Sequence, residues 1–205
     1  MRDRIQTAIL ALLLGTTGPV ALIESVQLNI EVVGETRTLV FALAALMGVA
    51  LNRLLQHRLP VLPTLEHELT HLLVATALLR KPLELRAGPG TGHVLFGPGW
   101  GTPLILLAPY VLPTVPVVVL ALSLAFGTSD QLSWVSAIGV AWGYQLTRAA
   151  YDARPHQSDL RTGGLVPSAI AVGGGASWTF AAVALFGLGG TPLVQRWLTE
   201  ILAWV

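Results

Sequence analysis

The chain contains no cysteine. Disulfides, thiolate nucleophiles and cysteine–zinc sites are excluded together, so any metal must be held by the five histidines and eleven acids. Charge is scarce as well: Asp, Glu, Lys and Arg make up 11% of 205 residues, where a soluble globular domain carries about a quarter. Lysine occurs once, at Lys81, against eleven arginines. With a formal net charge of +1 there is no basic face to neutralise phosphates, which excludes a nucleic-acid partner. What is present is apolar. The chain is 53% hydrophobic with a mean hydropathy of +0.68, arranged in runs of about twenty residues, the length that crosses a bilayer.

Those runs predict an all-α polytopic integral membrane protein with about six transmembrane helices and the lipid bilayer as its surroundings. The first covers residues 5–23, kinked by Gly15, Gly18 and Pro19, and a polar connection over 24–37 follows. The second covers 38–55, with a short turn at 52–60, and the third runs from Pro63 to Leu79. Residues 83–103 change character. Gly88-Pro89-Gly90 and Gly97-Pro98-Gly99 bracket a short alternating piece, 93–96, and 83–86 precedes it. That pattern predicts a re-entrant β-hairpin-like loop rather than a helix. A fourth span, 104–126, is interrupted by Pro109, Pro113 and Pro116. A fifth covers 132–150, and a sixth, 165–188, follows the polar stretch 151–164. Residues 191–205, with Trp197 and Trp204, read as an amphipathic helix at the interface.

One membrane domain, 1–205, therefore divides into two N-terminal spans (1–60), a core (61–175), and the end of the last span with the interfacial helix (176–205). Arg80, Lys81 and Arg86 follow span three, and Arg148, Arg154 and Arg161 close span five, while the loop at Asp130 has no basic residue. This places 83–100 and 151–164 on the cytoplasmic side. Arg53 and Arg58 then fall on the other side.

The chemistry is concentrated at residues 65–73, L-E-H-E-L-T-H-L-L. His67, Glu68 and His71 form H-E-x-x-H. On a helix, positions i and i+4 differ by about 40° around the axis, so both imidazoles project from one face. They can grip one metal ion, with Glu68 beside them as the general base for a zinc-activated water. A shuffled chain of this composition would contain the motif only roughly four times in a thousand. Two histidines and two acids in an apolar segment are costly without such a partner. A catalytic zinc needs a third protein ligand. The candidates are His57, His93, His156, Asp152 and Asp159. Asp159 is the first choice, because a carboxylate cancels one of zinc's two charges, and His156 is the second.

These features resemble the site-2 protease family of intramembrane zinc metallopeptidases. The likeness rests on H-E-L-T-H at 67–71, the glycine-rich extended segment after it, and the acid-bearing stretch before a later span, and it covers about residues 61–175. It implies His67, His71 and Asp159 as zinc ligands and Glu68 as the base, with the hairpin holding an unwound membrane-protein or peptide substrate. Where that family has N-P-D-G, this chain has Q-S-D-L at 157–160. No asparagine is available there to hold an oxyanion, which leaves His93 or Gln157 for that role. The expected function is that of a multi-pass protein of the bacterial cytoplasmic membrane that hydrolyses peptide bonds of single-span proteins or membrane-associated peptides. The alternative is a metal-binding or transport protein using the same His/His/Asp set.

Overall fold

Hydrophobic length sets the frame. The computed structural model describes residues 1–126 and 131–204, the side chains of residues 29–32 excepted. The loop at Asp130 and the terminal Val205 lie outside the described residues. In order, the elements are α1 (Arg2–Val32), α2 (Glu35–Arg58), α3 (Val61–Ala77), β1 (Pro82–Gly88), β2 (Thr91–Phe96), α4 (Thr102–Val111), α5 (Thr114–Ala125), α6 (Leu132–Asp152), α7 (Ser158–Thr162) and α8 (Leu165–Leu202). Three helices, α1 through Leu28, α2 and α8, are long and apolar enough to cross a membrane. A fourth span results if α4 and α5, bent by 75° at Leu112–Pro113, count as one. The six expected spans are thus reduced to three or four on length and composition. α3 has only 17 residues, and α6 spends part of its surface on Tyr144, Gln145, Arg148 and Asp152.

Two close-packed helix pairs make the body. α1 lies along α8 and α2 along α6, each pair brought together by glycine. A Cβ at Gly18 would strike the backbone of Gly174, and one at Gly143 or Gly48 would strike the backbone of the facing helix. Small residues are what allow such approach where water supplies no hydrophobic drive. At the end of the α1–α8 pair, Gly163, between α7 and α8, rests against the side chain of Thr7.

Several boundaries differ from the expected ones. α1 continues past residue 23, and Pro19 stays inside it. Glu24, expected in a connection, accepts a 2.7 Å hydrogen bond from the Trp204 indole. The turn expected at 52–60 shrinks to Leu59–Pro60, and Asn52 is buried on α2. The last helix is continuous with span six through a break at Gly190, whose φ of 69° suits glycine. Beyond that break Trp197 is 1% exposed, its indole N–H donating to the Ala21 carbonyl at 2.9 Å. That tryptophan is a core residue rather than an interfacial anchor.

The hairpin forms where it was expected. β1 and β2 pair antiparallel, Arg86 opposite His93 and Gly88 opposite Thr91, with an irregularity between Pro82 and Glu84. It starts at the C-terminal end of α3, yet Gly92 near its tip meets Thr64 and Glu68 in the first half of that helix. The hairpin therefore runs back along α3. Gln56 and Pro60, at the junction of α2 and α3, line the same cavity as Gly90–Val94, Asp152, Arg154 and Asp159.

Candidate metal centre

α3 presents two polar edges. On one, Glu66 and Thr70 tie the helix to its neighbours. The Tyr144 hydroxyl donates to Glu66 Oε2 at 2.7 Å, and the Thr70 and Thr114 hydroxyls are 3.3 Å apart. Gln145 Oε1 accepts the Val115 N–H at 3.1 Å. That amide is one the break between α4 and α5 leaves without a helical partner, so the side chain from α6 replaces it. These contacts fix α3 against α5 and α6, and with it the direction of its other edge.

That other edge carries His67 and His71, their rings 4.9 Å apart at 78°. Each ring is oriented through Nδ1. His71 Nδ1 lies 2.7 Å from the Ile105 carbonyl, and His67 Nδ1 lies 3.2 Å from Asp152 Oδ2. A carbonyl or carboxylate oxygen can only accept, so each Nδ1 carries the proton and each neutral ring leaves a lone pair on Nε2. Both Nε2 atoms face Asp159 Oδ2, at 3.5 Å from His67 and 3.4 Å from His71.

His67, His71 and Asp159 thus form a group whose ligand atoms all lie within 4.8 Å of one another, and it could hold a metal ion. Its spacing tests the fit. Bonds of about 2.0–2.2 Å in tetrahedral array put neighbouring ligand atoms about 3.4 Å apart. The Nε2–Oδ2 separations match that value. Three lone-pair-bearing atoms at this distance repel one another unless a proton or a metal cation sits between them, and the donor set fits a metal. Tyr110 donates its hydroxyl proton to Asp159 Oδ2 at 3.2 Å and is itself 1% exposed.

No protein-family model, curated protein or solved structure matches the chain. What the site can do is therefore read from its own residues.

Glu68 is buried and lines the cavity of about 540 Å³ into which His67, His71 and Asp159 also open. The hairpin roofs it. A Cβ at Gly92 would stand 2.7 Å from Glu68 Oε1 and 2.8 Å from Thr64 Cγ2. Glycine is needed there because strand backbone and carboxylate occupy adjacent space. Gly92→Ala is expected to push Glu68 aside and to lower any turnover that depends on it by about 10²-fold, the cost of a displacement near 1 Å. Metal content, measured by elemental analysis, should stay unchanged. Equal turnover in the two proteins would show that Glu68 needs no such support.

The hairpin is held in turn by Arg80, which the sequence marks only as one of the basic residues after span three. Its guanidinium is buried, donating to the Gly97 carbonyl at 2.5 Å and the Trp100 carbonyl at 3.1 Å, over the Phe96 ring. Asp152, a candidate ligand by sequence, stands behind His67 rather than with the ligand atoms. His156 and His93 line the cavity but are not in the ligand group. Strand alternation turns Gly92, Val94 and Phe96 toward α3. It leaves His93 half-exposed with Nε2 3.7 Å from Glu84 Oε1. Gln157 lines the cavity, and His57 is exposed outside it.

Proposed function

We propose that the protein is an intramembrane zinc metalloprotease, similar in plan to the site-2 protease family. It would span the bilayer several times, with α3 and α6 joining the apolar helices to make about six spans. The low apolarity of α6 is no obstacle, since its polar residues meet α3 and the cavity rather than lipid. The observation that carries the reading is the convergence of His67 Nε2, His71 Nε2 and Asp159 Oδ2 in one cavity with the buried Glu68.

A set of two histidines and one carboxylate is shared by catalytic zinc and by non-haem iron sites. Glu68 favours zinc and hydrolysis, because a carboxylate beside the ligands but outside the ligand group serves as a base. Zinc, when bound, supplies Lewis acidity toward a carbonyl oxygen and makes water acidic near neutral pH. Glu68 takes the proton from water and returns it to the departing amine. A helical substrate hides its carbonyls in its own hydrogen bonds, and β2 offers an extended backbone at the cavity along which an unwound segment can lie. His93 and Gln157, which line the cavity, would be the side chains to meet the carbonyl oxygen.

The test is cleavage of a single-span substrate by the purified protein in liposomes. Activity should vanish on chelation and return with zinc. Among the described residues there is no second group of three potential ligands to form a transit path. A zinc-loaded protein that carries zinc across the vesicle wall and leaves peptides intact would replace protease with transporter.

A further inference from the structure

His67 and His71 have equivalent places on α3 but unequal support. The proton on His71 Nδ1 is taken by a neutral backbone carbonyl, that of Ile105, at 2.7 Å. The proton on His67 Nδ1 faces a carboxylate, Asp152 Oδ2, at 3.2 Å. That carboxylate is held in place. Its other oxygen accepts from Arg148 Nη2 at 2.9 Å, one helical turn back on α6, and the Asp152 and Arg148 side chains are 8% and 12% exposed. The His67 ring stands between the two aspartates, with Asp159 on its Nε2 side and Asp152 on its Nδ1 side.

We propose that Asp152 is a positioning residue for the metal, fixing His67 with its proton on Nδ1 and strengthening its Nε2 as a donor, while Arg148 holds Asp152 behind the ring. Three arguments support this. A ligating imidazole needs a partner on its other nitrogen to set tautomer and orientation, and a carboxylate makes the ring a stronger donor than a carbonyl does. An aspartate this close to a metal group would compete for the ion, and the ion pair with Arg148 on α6 keeps it on the far side of the ring. The pairing also links α6 to α3 at the centre itself, so the ligand's direction is set by a neighbouring helix rather than by its own rotamer preference.

The proposal rests on the metal-site reading and not on proteolysis, so it is tested by zinc affinity, measured by competition with a chromophoric chelator in detergent. Asp152→Asn is expected to raise the zinc dissociation constant about 10- to 100-fold, with helix content unchanged. Arg148→Gln, which removes the ion pair and leaves the aspartate, should raise it much less. An unchanged constant for Asp152→Asn overturns the proposal. So does a larger loss in Arg148→Gln than in Asp152→Asn, because Arg148 would then act on the metal by a route other than Asp152. Nitrogen-15 spectra of histidine-labelled wild-type protein give a check that needs no variant. His67 should carry its proton on Nδ1 in the zinc-loaded protein, and a proton on Nε2 would overturn the assignment. A wild-type protein that binds no zinc would instead sink the metal site.

Discussion

Glu68→Gln is expected to abolish peptide cleavage while zinc content remains at the wild-type level. Glutamine keeps the size of the side chain and its place under Gly92, so the helix and hairpin need not move. What it loses is the capacity to take a proton, which for a positioned base is worth about 10²–10⁴-fold. Because Glu68 is outside the group formed by His67, His71 and Asp159, the ion should not depend on it. Cleavage of the reconstituted substrate and elemental analysis of the same sample decide the matter. Loss of zinc along with activity would make Glu68 part of the metal's support instead of the base.

Asp159→Ala should have the opposite signature, with zinc lost first and activity as a consequence. Asp159 supplies the only anion in the ligand group, and an ion of charge +2 among two neutral imidazoles in apolar surroundings is poorly compensated. The fall in affinity should exceed the about 10–100-fold cost of changes outside the ligands. Tyr110, whose hydroxyl reaches Asp159 at 3.2 Å, has no way to replace it, since a buried phenol gives a proton where the metal requires a lone pair. His156→Ala is the control. That histidine is exposed and outside the group, so zinc should be retained. Retention in Asp159→Ala with loss in His156→Ala would move the third ligand to the histidine.

The features legible in the sequence were those with a strong local cause. H-E-x-x-H declares itself because helical spacing alone brings the two imidazoles together. The hairpin does so because glycine–proline turns bracket an alternating strand too short to be a helix. The break at Leu112–Pro113 follows from proline. Long-range partners leave no such trace. Asp152 looked like any acid near a metal motif, and only the packing of α6 on α3 puts it behind His67. Nothing near Glu66 or Gln145 in the sequence points to their partners, although one holds α3 and the other completes a broken helix. Trp197 was misplaced because an indole suits an interface and a core equally well on composition. Its hydrogen bond to Ala21, 176 positions away, decides for the core. Helix ends were misjudged where hydropathy fell, since a helix can outrun its apolar stretch as α1 does past Glu24.

The contact of Thr7 with Gly163 has a meaning in time. During synthesis α1 is made first, and the residue it must rest against, four positions beyond Asp159, is made far later. His67 and His71 are in place through most of that interval with no carboxylate to join them. Only once α7 has been made, and α8 after it can pack on α1, are all three members of the group present. A group that could hold a metal is thus complete only when both ends of the fold have been made, and a partly made chain carries the H-E-x-x-H helix without its carboxylate.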